Sequence, residues 1–100
     1  PPERDCEFNT YHTFVIQTER RDELRQDLRS RGIETAIHYP VPIHLQPAAS
    51  GLKYNEGDFP ATERQARRIL TLPVNQFLAE GDIRYVAESV NELAGQRLMV

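Results

Sequence analysis

The apolar positions of this chain change their period several times, and each change marks an element. Residues 11–18, Tyr-His-Thr-Phe-Val-Ile-Gln-Thr, are rich in β-branched and aromatic side chains and predict a strand, with Phe14 and Ile16 on one face and Val15 on the other. Residues 19–31 predict a helix. Leu24 and Leu28 make a narrow i,i+4 apolar stripe, Thr18 is the candidate N-cap, and Arg20, Arg21, Arg25, Arg29 and Arg31 fall on positions expected to be solvated. Gly32 suits the left-handed position just past a helix end, with Ile33 as the apolar residue that follows it. Residues 34–38, Glu-Thr-Ala-Ile-His, predict a second short strand.

From Tyr39 to Asp58 the periodicity is lost, and Pro40, Pro42, Pro47, Gly51 and Gly57 interrupt the run. A connection this long in a compact domain is usually functional or partly disordered; a short helical turn is expected near residues 46–50. A second helix should begin near Phe59-Pro60, because proline is tolerated in the first turn, with Asp58 and Glu63 near its positive end and Ala66, Ile69 and Leu70 toward the core. Residues 70–74, Leu-Thr-Leu-Pro-Val, predict a third strand stopped by Pro73. Ile83, Val86, Val90 and Leu93 then make a helical stripe over residues 80–94, with Gly95 expected to end it. The order implies an α+β fold: a small mixed three-stranded sheet packed with three helices. The first two strands should run parallel, joined by a right-handed crossover, and the third has room between them.

Composition narrows the classes. One hundred residues make one domain at most. The net charge of −3 and the absence of a dense basic run speak against nucleic-acid binding. No apolar stretch approaches the ~20 residues that span a bilayer, and the first residues lack a signal-peptide pattern. Cys6 is the one cysteine, which excludes an internal disulfide and fits a reducing, cytoplasmic setting. Residues 1–10 are polar and aperiodic and suggest a linker or the tail of an upstream domain. A start at Pro1-Pro2 without an initiator methionine suggests a piece of a longer protein.

The chemistry concentrates in His38-Tyr39-Pro40-Val41-Pro42-Ile43-His44. The two prolines fix φ and push the residues before them into extended conformations, so the segment is stiff. Rigid, chemically loaded loops are common places for binding sites. His38 and His44 could line a ligand site, or they could simply hydrogen-bond loop backbone. His12 approaches His38 if the first strand adjoins the second. No short-spaced ligand pair supports a metal site; His38 could do general acid–base work, but no partner carboxylate is apparent near it in sequence.

Several segments in register carry a resemblance: Tyr11-His12-Thr13-Phe14-Val15-Ile16, Arg21-Asp22-Glu23-Leu24, Arg31-Gly32-Ile33-Glu34-Thr35, the histidine segment itself, Phe59-Pro60-Ala61-Thr62-Glu63 and Leu70-Thr71-Leu72-Pro73. Together they resemble the C-terminal domain of the DegT/StrS-type sugar aminotransferases, which are pyridoxal-phosphate enzymes of the aspartate-aminotransferase fold. The resemblance implies that residues 11–100 are the C-terminal small domain of such a transferase. Its parent would aminate a keto group on a nucleotide-linked sugar, use pyridoxal phosphate and form a homodimer. It implies substrate-side contact for His38, Tyr39 and, less directly, His44. The chemistry also requires a Schiff-base lysine. The only lysine here is Lys53, outside any matching motif, so no catalytic residue is assigned to this chain. A large N-terminal domain would supply that lysine and hold the cofactor, and the fragment alone should not transaminate. Two other readings remain: a sugar dehydratase of the same family, and a stand-alone module that binds a ligand or partner without catalysis. The family often caps its last helix with a hydroxyl residue where this chain has Ala79.

Overall fold

The computed structural model describes residues 2–98. Met99 and Val100, the last residues of the span expected for the domain, lie outside the described residues, as does Pro1. Strand β1 (Phe14–Gln17) and strand β2 (Ile69–Leu72) pair antiparallel, with Phe14 opposite Leu72 and Ile16 opposite Leu70. Three helices accompany them: α1 (Arg21–Ser30), α2 (Pro60–Arg68) and α3 (Glu80–Leu98). The α+β class holds, but the sheet has two strands and not three. The expected second strand touches the ladder at Ala36 alone, where its N–H donates to the Thr71 carbonyl at 3.1 Å and its carbonyl accepts from Thr71 at 2.7 Å. That segment is bracketed by the turn at Gly32 and by Pro40, and so has little length to give. Both neighbours run antiparallel to β2. They are therefore parallel to one another with β2 between them, in the order the sequence suggested.

The core lies between α1, α3 and one face of the sheet. Leu24 and Leu28 of α1, Ile33, Leu70 and Leu72 of β2 and Leu93 of α3 are buried together, with Ile16, Ile37, Val86 and Val90 packed against them. The stripe read for α1 is the stripe that is buried. Its end is also as expected. Gly32 has φ +79°, its N–H donates to the Arg29 carbonyl at 3.0 Å, and the Ile33 N–H donates to the Leu28 carbonyl at 2.9 Å. This is the Schellman arrangement, in which the apolar residue after the glycine packs back on the helix.

Four expectations need correction. The N-cap of α1 is Arg20, whose carbonyl accepts from Leu24 at 3.0 Å, and not Thr18; Asp22 and Glu23 provide the negative charge of the first turn. Arg21 is not solvated: its guanidinium donates to the carbonyls of Ala66 at 2.9 Å and Ile69 at 3.2 Å, tying α1 to the junction of α2 and β2. Ile83 is exposed, because α3 enters the core only from Val86 onward. Gly95 does not end α3, which continues to Leu98. A glycine inside a helix costs only roughly 0.5–1 kcal/mol relative to alanine, and no proline follows to stop the helix.

The long connection is more ordered than its composition implied. Two short 3₁₀ turns, Ile43–Leu45 and Pro47–Leu52, occupy its middle. Asn55 and Asp58 close its far end: the Asn55 N–H donates to the Asp58 carboxylate at 2.7 Å, and the Asp58 N–H to the Asn55 carbonyl at 3.1 Å.

Candidate substrate-side site

The histidine segment leaves β2 at one end and reaches α2 at the other, and the two ends are built differently. At the first end, His38 follows the Ala36 pairing and its Nδ1 lies 3.0 Å from the Thr71 hydroxyl. Thr71 is buried and its backbone N–H and carbonyl both bond Ala36, so it is a fixed anchor for the ring. The next residue, Tyr39, packs edge-to-face on the His38 ring with centroids 5.3 Å apart, while 69% of its surface faces solvent. The peptide bond between them is cis. His38, His12, Glu34, Thr35, Thr71 and Val74 line one hollow. His12 thus shares a hollow with His38 even though β2 separates their strands. The hollow offers two imidazoles, hydroxyls and a carboxylate beside an exposed aromatic ring. Such a set can hydrogen-bond sugar hydroxyls and pack against a ring.

At the second end His44 sits in the first 3₁₀ turn and is buried. Its ring meets Phe59 edge-to-face at 4.9 Å, and Phe59 meets Tyr54 at 5.0 Å. Glu63 lies behind it. The carboxylate accepts the Gly57 N–H at 2.7 Å and the Phe59 N–H at 3.2 Å, serving the open N-terminus of α2. Its Oε2 is also 3.8 Å from His44 Nε2, and both side chains are 6% exposed. That distance exceeds a hydrogen bond, and Nε2 has no other partner. His44 lines a second, mostly apolar hollow with Ile43, Ala49, Leu52, Tyr54 and Phe59. The three expected site residues are therefore not gathered in one place: His38 and Tyr39 adjoin, and His44 stands in a different hollow.

Sequence reasoning missed Glu63 as the neighbour of His44. Its signal was a glutamate early in a proline-started helix, a position from which a carboxylate reaches back to free N–H groups. Nothing in the spacing indicated that a histidine from the preceding loop would fall beside it.

Lys53 is exposed, stands at φ +59° at the end of the second 3₁₀ turn, and lines neither hollow. Among the described residues no group of three or more His, Cys, Asp or Glu side chains is placed to hold a metal ion. No helix among them is long and apolar enough to cross a membrane.

An α+β unit with a two-stranded sheet and a stiff histidine segment is the class that the fold and site define. Residues 1–91 match the DegT/DnrJ/EryC1/StrS aminotransferase family, and the chain belongs to that family. A dTDP-3-amino-3,4,6-trideoxy-alpha-D-glucose transaminase of Streptomyces venezuelae is 46% identical over 84% of the chain, and a pleiotropic regulatory protein of Geobacillus stearothermophilus is 39% identical over 92% of it. The chain spans only 22% and 25% of those relatives' lengths. Among solved structures, that of S. venezuelae DesV in complex with a ketimine intermediate superposes with a TM-score of 0.79 at 46% identity, covering 84% of this chain and 23% of that one. The aminotransferase TlmJ from Streptoalloteichus hindustanus superposes at 0.77 with 29% identity, covering all of this chain and 26% of that one.

Proposed function

We propose that residues 11–100 are the C-terminal small domain of a pyridoxal-phosphate-dependent aminotransferase acting on a nucleotide-linked keto sugar, and that residues 1–10 are the tail of the domain before it. The net reaction exchanges the donor's amine for the sugar's carbonyl oxygen: the keto carbon gains C–NH2 and the donor carbon becomes C=O. The cofactor supplies the electron sink for that exchange. The chain's own residues bind and orient. His38, held by Thr71, and the exposed Tyr39 contact the sugar nucleotide, and His44 supports the far end of the same segment.

The observation that carries this reading is the His38–Tyr39 pair, fixed to the central strand yet presenting an open aromatic face. The short span relative to the sugar-transaminase relatives supports a separate large domain that brings the lysine and the cofactor. The exposed Phe8, Phe14, Val15 and Phe77 support it too, since apolar surface of this kind marks a protein contact. The whole protein is read as a cytoplasmic homodimer.

The test uses the full-length protein with glutamate and dTDP-linked keto sugars. It should release an amino sugar, and Tyr39→Ala should lower kcat/KM by roughly tenfold to a hundredfold. A dehydrated product with no incorporated amine would instead assign the family's other chemistry. The isolated chain should give no stoichiometric borohydride-reducible adduct with pyridoxal phosphate, and such an adduct at Lys53 that supports turnover would sink the division of labour.

A further inference from the structure

We infer that Glu63 is a positioning residue for the sugar-binding segment, acting through His44; the inference rests on the reading of Tyr39 as a substrate contact. A buried carboxylate needs partners, and Glu63 has them in the Gly57 and Phe59 N–H groups at 2.7 and 3.2 Å. Those bonds alone would account for a helix start. What they leave unexplained is the His44 imidazole, buried 3.8 Å from the same carboxylate with Nε2 unpaired. A neutral ring is drawn to the carboxylate as a donor and a protonated one as a charge, so Glu63 favours this placement of His44 over any that points the ring outward.

The consequence lies upstream of His44. Pro40 and Pro42 stiffen the segment before it, and the Leu45 N–H closes the turn on the Pro42 carbonyl at 2.9 Å. A segment this stiff is set by its two ends. Thr71 holds one end through His38, and the Glu63–His44 contact holds the other. Between them the side chains of Tyr39, Val41 and Ile43 are exposed: Tyr39 rests on the His38 ring, and Gln46 donates to the Val41 carbonyl at 3.2 Å and the Ile43 carbonyl at 3.3 Å, so the backbone is held while the side chains face outward. Glu63 itself is buried and cannot touch substrate; it would act only by fixing where those side chains stand.

The test is a double-mutant cycle in the full-length enzyme with Glu63→Gln, His44→Gln and the pair. Gln keeps the size of Glu63 and one oxygen for a backbone N–H while removing the charge. Each single substitution should raise KM for the sugar nucleotide by about tenfold while kcat and the amino-donor half of the reaction stay within about twofold. The double variant should be no worse than either single one, because the two side chains act as a unit. Glu63→Asp, which retains the charge one methylene further back, should fall between wild type and Glu63→Gln and serves if Glu63→Gln does not fold. An unchanged KM in Glu63→Gln or Glu63→Asp overturns the inference, as do equal losses in both half-reactions or multiplicative effects in the double variant. Tyr39→Ala separates the two layers. If it raises KM while the Glu63 variants do not, the positioning role fails alone. If Tyr39→Ala leaves KM unchanged, the substrate contact fails and the inference fails with it.

Discussion

His38 and His44 belong to one seven-residue segment, yet the fold treats them as different residues. His38 is exposed, holds a single side-chain hydrogen bond to Thr71 and borders an open hollow. His44 is buried against Phe59 and backed by a carboxylate. The difference comes from what each end of the segment meets. The first end runs beside a strand whose inner face is already filled by leucines, so its side chains stay on the rim. The second end crosses the start of a helix that needs covering, so its side chain goes in. Two identical side chains in one motif therefore stand in different surroundings: one faces an open hollow at the rim, and the other is packed inside.

Truncating each histidine in turn would break this comparison most sharply. His44→Ala removes a buried ring, opens a cavity beside Phe59 and leaves Glu63 with one neighbour fewer. It should cost roughly 2–4 kcal/mol of stability. His38→Ala removes one hydrogen bond at the rim and should cost no more than about 1 kcal/mol. Urea unfolding of the two variants measures both. Equal costs would show that the two ends are not built differently.

Thr71→Val sharpens the first end with a smaller effect. Valine matches threonine in shape and suits the centre of a strand, but it removes the hydroxyl that His38 meets at 3.0 Å. The stability loss should be about 0.5–1.5 kcal/mol, while the His38 ring should gain mobility, visible as averaged imidazole resonances in NMR spectra. A ring that stays fixed without the hydroxyl would show that something other than Thr71 anchors it.

Much of this was legible in the sequence, for local reasons. Leu24 and Leu28 sit at helical spacing, Gly32 marks a left-handed turn, and Phe59-Pro60 marks a helix start; each depends on residues within one or two turns of itself. The parts that were not legible are contacts between distant segments. Arg21 looked like any arginine on a charged helix until the carbonyls of Ala66 and Ile69 arrived beside it. Glu63 looked like helix-end chemistry until His44 folded onto it. The strand count failed for a related reason. Residues 34–38 have strand composition, but a short path between a turn and a proline leaves room for one pairing. The candidate site was found through a family pattern in the histidine segment; its division into an open end and a buried end depends on which distant elements each end meets.

The smallest expected effect concerns a helix start that differs from that of α2. There a glutamate buried beside His44 accepts backbone N–H groups. At α3 the job is half done. Ala79 stands at the N-cap, its carbonyl accepting from Ile83 at 3.2 Å, and Asp82 reaches back to accept the Ala79 N–H at 3.0 Å. That is one arm of a capping box, with its reciprocal arm missing because alanine has no hydroxyl. The Asp82 N–H already donates to the Ala79 carbonyl at 3.0 Å, so Ala79→Ser would supply it with a second, side-chain acceptor without disturbing the arm already present. Ala79 is exposed, so the substitution places no polar group in the core. The gain should be about 0.5–1 kcal/mol, at the lower end of cap effects because the first turn of α3 lies outside the core and contributes little packing. A melting temperature that rises by a few degrees would confirm Ala79 as the cap position. No change, or a fall, would mean that the Asp82 carboxylate alone already satisfies this helix start.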